Sequence, residues 1–343
     1  MKALGAVAAV LCTFFWSVAA GAAPVASAAT AGAPVAASPA APVVVDPWAE
    51  QPWDQRRALP NDSRPPKRRE PLHMLPPLPT DPAAVGMVRR VALPDGPKVA
   101  ALTFDLCELD TVTTGYNAAI INFLRAEKLP ATLFMGGKWM RTHAARVRQV
   151  LTEPLFEVGN HAWSHGNFAL LSPEGMRAQV LWTQAQYELL REDALAAARA
   201  VGGPQPSIPP VLFRLPYGRC SPQALDLLAG LGLTVVQWDV VAEGGGDNSA
   251  PKQALEVARR VRPGSILLFH ANRVPHGSAA LLRGVVAALR AQGYSFVTVS
   301  RLLRMGEPRR TTDGYFTVPG DNHALDGRFG VDGTGRHTPF TGR

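Results

Sequence analysis

Between residues 96 and 303, short apolar runs alternate with longer segments whose apolar positions recur every three or four residues. Runs of the first kind, rich in β-branched side chains, predict strands at 99–105, 131–135, 156–159, 211–214, 234–239, 265–270 and 296–299. Segments of the second kind predict helices at 116–128, 141–151, 173–201, 222–231, 250–261 and 278–292. Seven apolar strands separated by helices predict an α/β protein with a parallel sheet covered by helices. A barrel and an open doubly wound sheet both satisfy this pattern. In either, the loops at the carboxyl ends of the strands form the site.

The periodicity stops on both sides. Lys2, an apolar stretch from Ala3 to about Val18 and the small residues Ala20, Gly21 and Ala22 read as an export signal over 1–22. Cys12 is then lost with the signal. Residues 23–95 are rich in Ala and Pro, then in Pro, Arg and Asp, which predicts a disordered linker. Trp48 and Trp53 are its candidates for docking on the domain. Residues 304–343 read as a polar, Gly-rich tail. The core is therefore expected as a single domain over 96–303.

Charge and composition refine this picture. The 343-residue chain is 47% hydrophobic and carries a net charge of +8 with a pI near 9.8. A globular enzyme core is compatible with that composition. The positive balance favours anionic surroundings such as cell-wall polymers. In an exported protein, periplasmic or extracellular, it does not point to nucleic acid. The dense basic cluster at 64–69 lies in the proline-rich segment, as a solvated stretch. No transmembrane segment is expected after signal removal, and a monomer is expected.

Candidate chemistry gathers at strand ends. Asp105 ends the first strand, Asn160 and His161 follow the third, Arg214 ends the fourth, Asp239 the fifth and His270 the sixth. His161 and His165 stand four apart, a spacing that on a helical turn puts two imidazoles on one face to share a divalent ion. Asp105 is a candidate general base, with Arg214 holding it ionised. His270 is a candidate general acid and Asp239 its tuning partner. Gly218 after Pro216-Tyr217 predicts a tight turn whose N–H groups face an oxyanion.

The ordered set Thr103-Phe104-Asp105, Gly159-Asn160-His161-Ala162-Trp163-Ser164-His165, Arg214-Leu215-Pro216-Tyr217-Gly218, Trp238-Asp239 and Leu267-Leu268-Phe269-His270 resembles the polysaccharide deacetylases of carbohydrate esterase family 4, with their NodB-like domain. The resemblance implies a deformed (β/α)7 barrel. It also implies metal-dependent hydrolysis of acetyl groups from a polysaccharide such as peptidoglycan, a chitin-like polymer or xylan. Asp105 then matches the base, His161 and His165 two metal ligands, Arg214 the arginine that orients the base, Tyr217 the backbone donor to the oxyanion and His270 the acid. Leu267 matches the apolar pocket for the acetyl methyl. Zinc is the expected ion, ahead of cobalt, nickel or manganese.

Three positions depart from the family pattern. Leu106 stands where a second, metal-binding aspartate is usual. Ala162 replaces Ser or Thr. Val241 and Gly244 lie where acidic residues are often found, which puts the tuning role of Asp239 in doubt and leaves Asp247 as a substitute. Cys107 and Cys220 form an even pair in an exported chain and are expected to bond to each other. Glu108 is then the expected third ligand, whereas free thiols would give a His-His-Cys site that prefers zinc. The loss of the usual aspartate also leaves a catalytically silent glycan-binding domain as the alternative function.

Overall fold

The computed structural model describes residues 46–79, 85–94, 96–203, 210–244 and 247–335. The expected signal and the first part of the linker lie outside these residues. Ten strands occur among them: β1 (Met87–Ala92), β2 (Val99–Leu106), β3 (Ala131–Met135), β4 (Phe156–Asn160), β5 (Leu212–Phe213), β6 (Thr234–Val235), β7 (Val240–Val241), β8 (Ile266–His270), β9 (Ser295–Phe296) and β10 (Glu307–Thr311). The helices are α1 (Ala118–Ala126), α2 (Gly137–Thr142), α3 (Ala144–Leu151), α4 (Pro173–Val201), α5 (Pro222–Gly230), α6 (Pro251–Arg260), α7 (Ser278–Ala291), α8 (Val299–Leu303) and α9 (Ala324–Phe329). Their starts follow from local chemistry. Asn117, Ser172, Ser221 and Thr298 cap α1, α4, α5 and α8 by accepting first-turn N–H bonds. Pro occupies the first turn of α4, α5 and α6, where its missing N–H costs nothing.

Eight strands pair in parallel, in the order β6-β5-β4-β3-β2-β8-β7, with β9 also on β2. The sheet curls as the deformed (β/α)7 architecture requires, but β6 and β7 leave a seam. The antiparallel ribbon of β1 and β10 spans it. Val88 bridges Val236 on one side of the seam, and Arg90 bridges Ser265 on the other.

Strand alternation sorts the sheet into two faces. On β2, Ala100, Leu102, Phe104 and Leu106 pack outward with the helices, while Ala101 packs inward with Val88, Phe134, Trp238 and Leu268. Asp105 shares the parity of Ala101 and so faces the interior.

Several expectations need correction. The apolar run 234–239 divides, because β1 intervenes: the Gln237 N–H donates to the Val88 carbonyl at 2.8 Å, leaving β6 and β7 at opposite sheet edges. The helix expected at 141–151 breaks at His143, whose backbone (φ −108°, ψ 37°) is not helical. The segment after Arg304 is no featureless tail, since it supplies β10 and α9. Residues 46–79 contain little regular structure yet lie against the domain. Asp54 is fully buried and pairs with Arg146 at 2.5 Å, while Trp48 packs on the core and Trp53 stays 47% exposed. No helix among the described residues is long and apolar enough to cross a membrane.

Candidate functional site

Strand register gathers the site. Asp105 on β2 pairs directly with His270 on β8, and β7 pairs with β8 through Val240–Leu267 and Val241–Leu268. Extending that register by two residues sets Glu243 beside His270. The side chains meet there: Glu243 Oε2 lies 2.5 Å from His270 Nδ1, and Oε1 accepts the His270 backbone N–H at 3.1 Å. This double contact sets the tautomer, so the free Nε2 belongs to the cavity that His270 lines. Burial lowers the His270 pKa, but Glu243 and Asp105 overcome it and hold the ring above its ordinary value.

Asp105 is 4% exposed. Its Oδ1 accepts from Arg214 Nη1 at 2.9 Å, and its Oδ2 lies 3.4 Å from His161 Nε2. Burial raises its pKa, but His161, Arg214 and His270 outweigh that, so the carboxyl sits below its ordinary value. Arg214 is itself fully buried. Its remaining donors reach the carbonyls of Val236 and Gln237 at 3.3 and 3.1 Å, and its guanidinium lies 4.0 Å from the Phe134 ring centre. That fixed fork leaves Asp105 one orientation.

His161 and His165 converge through a loop, not through a helical turn. Ala162 (φ 61°) and His165 (φ 59°) are left-handed, a conformation costly for side-chain-bearing residues. The loop is held by its neighbours. Asn160 Oδ1 accepts the Ala162 N–H at 2.9 Å, and the N–H groups of Gly137 and Lys138, opening α2, donate to the Ala162 and Trp163 carbonyls. Gly137 is required by this approach, since a Cβ there would lie 2.4 Å from the Trp163 ring. His161 Nδ1 donates to the Arg214 carbonyl at 2.8 Å, leaving Nε2 buried without a hydrogen-bond partner. Burial lowers the pKa of both imidazoles, keeping them in the neutral form that ligates metals.

The third donor beside them is Cys107. One ligand atom each from Cys107, His161 and His165 lie within 4.8 Å of one another. Such a soft Cys-His-His set with a partnerless imidazole nitrogen fits a divalent ion such as zinc. Burial, Asp105 and Glu108 push the Cys107 thiol well above its ordinary pKa, so a cation is what would keep it as thiolate.

Tyr217 stands across the cavity in a left-handed backbone conformation (φ 58°). Its ring meets His165 edge-on at 4.3 Å and stacks on Phe329 at 5.3 Å. Asp105, His165, Tyr217 and His270 share a cavity of about 650 Å³ with Trp238 and Leu268, and residues 316–329 form its other wall.

Residues 92–236 match the polysaccharide deacetylase family. The chain matches that family over 145 of its 343 residues. It is 29% identical over 231 residues to the Listeria monocytogenes peptidoglycan-N-acetylglucosamine deacetylase PgdA, covering 66% of this chain but only 44% of the relative's length. A solved peptidoglycan N-acetylglucosamine deacetylase shares the fold at 22% identity and a TM-score of 0.52, covering 64% of this chain and 94% of its own. A mutant of a Bacillus anthracis pseudoenzyme of carbohydrate esterase family 4 shares it at 20% identity and a TM-score of 0.52, covering 63% of this chain and 70% of its own.

Within this fold, five expectations fail on geometry. Glu108 is not beside the histidines. Its carboxylate is buried against Lys138 Nζ (3.2 Å), Thr142 Oγ1 (2.9 Å) and the Thr114 N–H (2.9 Å). Cys107 and Cys220 are free thiols, Cys220 donating to the Ser221 carbonyl at 3.2 Å. Asp239 aligns with Ile266, four residues short of His270, or roughly 13 Å at strand rise. There it accepts from Ser265 Oγ and the Ile266 N–H, both at 2.9 Å. Its substitute Asp247 bonds Ser249 instead. Leu267 faces the helices, and Leu268 lines the cavity.

Proposed function

We propose that this chain is an exported, metal-dependent hydrolase that removes acetyl groups from a polysaccharide, N-acetylated sugars first among them. The observation that carries the reading is the pairing of Asp105, held by Arg214, with His270, held by Glu243, at one cavity beside the Cys107-His161-His165 donor set. A binding domain has no use for such a base and acid. The named substrate of the Listeria relative supports the choice of polymer.

Cys107, His161 and His165 would hold a divalent ion, zinc by donor chemistry. When bound, the ion supplies a Lewis acid for the acetyl carbonyl and lowers the pKa of water. Asp105, fixed by Arg214, takes the proton of the attacking water. The Tyr217 backbone N–H faces the oxyanion as charge develops. His270, held by Glu243 through Nδ1, delivers a proton from Nε2 to the departing nitrogen or oxygen. Leu268 and Trp238 supply the apolar wall for the methyl group.

The test is acetate release from chitin oligomers, peptidoglycan and acetylated xylan, with metal content measured on the same protein. Asp105→Asn and His270→Ala should each abolish release while retaining the fold by circular dichroism. A folded protein that carries no metal and releases no acetate from any polymer would instead be a silent glycan-binding domain.

A further inference from the structure

The ribbon that spans the seam carries a second cleft. Val88 pairs with Arg310 and Arg90 with Arg309, so two steps on β1 match one on β10, and Arg89 is the extra residue of a bulge. Bulges re-aim side chains. Here Arg89 and Arg90, which strict alternation would send to opposite faces, line one cleft of about 290 Å³ with Arg262, Arg309 and Arg310.

Its charge is poorly balanced. Arg90 and Arg309 are directly opposed across an antiparallel pair, an arrangement that costs stability when the charges are alike. Asp239 is the one carboxylate lining the cleft, partly buried and engaged by Ser265 and Ile266, with Arg262 at 3.9 Å. Glu307 meets Arg309 at the exposed rim at 3.2 Å. Arg89 spends its fork on the carbonyls of Tyr315 and Phe316, both at 2.9 Å. Five guanidinium groups thus face three carboxylates, Asp239, Glu307 and the Asp321 that acts on Arg89. Guanidinium forks match carboxylate and phosphate oxygens. The cleft also adjoins the proposed catalytic cavity, because Thr317 lines both.

We infer that this cleft holds anionic groups of the same polymer whose acetylated sugar occupies the cavity, so that the substrate is an acidic glycan. The inference rests on the deacetylase reading above. It commits the ligand to a sugar chain bearing carboxylate or phosphate groups near the acetylated unit.

Carboxymethyl chitin and glycol chitin provide the test, since both carry N-acetylated sugars and the first alone is charged. Wild-type protein should deacetylate carboxymethyl chitin with a KM roughly five- to tenfold lower, the worth of two or three exposed ion pairs. High salt should erase the difference, because the Debye length falls to about 3 Å at 1 M. Arg90→Gln with Arg309→Gln should bring the ratio near one, and Arg262→Gln alone, on a separate loop, should lower it. Equal KM values for wild type, or a preference that survives all three substitutions, would overturn the inference. Electrophoretic retardation in gels containing each polymer reads the cleft independently of turnover. If neither polymer is deacetylated, retardation by carboxymethyl chitin alone still supports the acidic-glycan cleft, and equal retardation refutes it.

Discussion

Glu243 grips His270 twice, through the backbone N–H at 3.1 Å and through ring Nδ1 at 2.5 Å. One carboxylate thus fixes the ring's position, its tautomer and its charge. Its side chain is 5% exposed, so the pair works at reduced dielectric, where a neighbouring charge acts strongly.

Glu243→Gln should therefore act on the pH profile more than on the fold. Burial opposes the charged His270 ring, while Glu243 and Asp105 favour it. Without the Glu243 charge the His270 pKa falls. A general acid works below its own pKa, so the basic limb of kcat/KM should move to lower pH while the acidic limb stays. Activity should drop more at pH 8 than at pH 6. A basic limb identical to that of wild type would remove either His270 as the acid or Glu243 as its partner.

Cys107 should be legible by spectroscopy. Cobalt-substituted wild-type protein should show a near-ultraviolet thiolate-to-cobalt band that Cys107→Ser lacks. Zinc affinity in Cys107→Ser should fall by more than the roughly 10- to 100-fold that loss of an outer-shell partner costs. Cys107→Asp should retain metal and shift preference toward harder ions. Unchanged affinity in Cys107→Ser would take the thiol off the site.

The outline of the fold was legible because the central strands β2, β3 and β8 are buried on both faces and bounded by helical periodicity. The site residues Asp105, His161, Arg214 and His270 were legible because they recur at the carboxyl ends of those strands. Glu243 was missed and Cys107 was expected only as the alternative to Glu108, and one signal reaches both. Period-two alternation from Asp105 lands on Cys107, skipping Leu106, which packs in the outer core. The same step from Val241 lands on Glu243. The β1–β10 ribbon was not legible, because its pairing joins residues more than 200 positions apart and its strands carry four arginines.

Lys138→Met should destabilise the protein by about 3–5 kcal/mol near neutral pH, because it strands Glu108 as a buried, unpaired carboxylate. Burial already raises the Glu108 pKa, with Lys138 the leading opposing influence. In the variant that value rises further. An acid whose folded pKa lies above its unfolded one costs nothing while both states are protonated. The penalty grows as pH climbs from the unfolded value through the folded one. Urea unfolding should therefore show the smallest gap to wild type near pH 4 and the full gap at pH 8. A gap independent of pH would mean that the lost stability comes from packing instead of charge.

Asp54→Ala tests whether the segment at 46–79 belongs to the folded unit. The Asp54 carboxylate pairs with Arg146 through Oδ1 at 3.0 Å and Oδ2 at 2.5 Å, and accepts the Gln51 N–H at 2.7 Å. Its backbone carbonyl accepts the Tyr116 N–H at 2.8 Å, joining the segment to the loop before α1. Removing the carboxylate leaves the Arg146 guanidinium buried with carbonyl and amide partners only, a change that costs about 3 kcal/mol or more for a buried pair. Hydrogen exchange should show loss of protection at both ends of the contact, around 46–58 and along α3. A variant as stable as wild type, with exchange altered only near residue 54, would show instead that the domain folds without this strap.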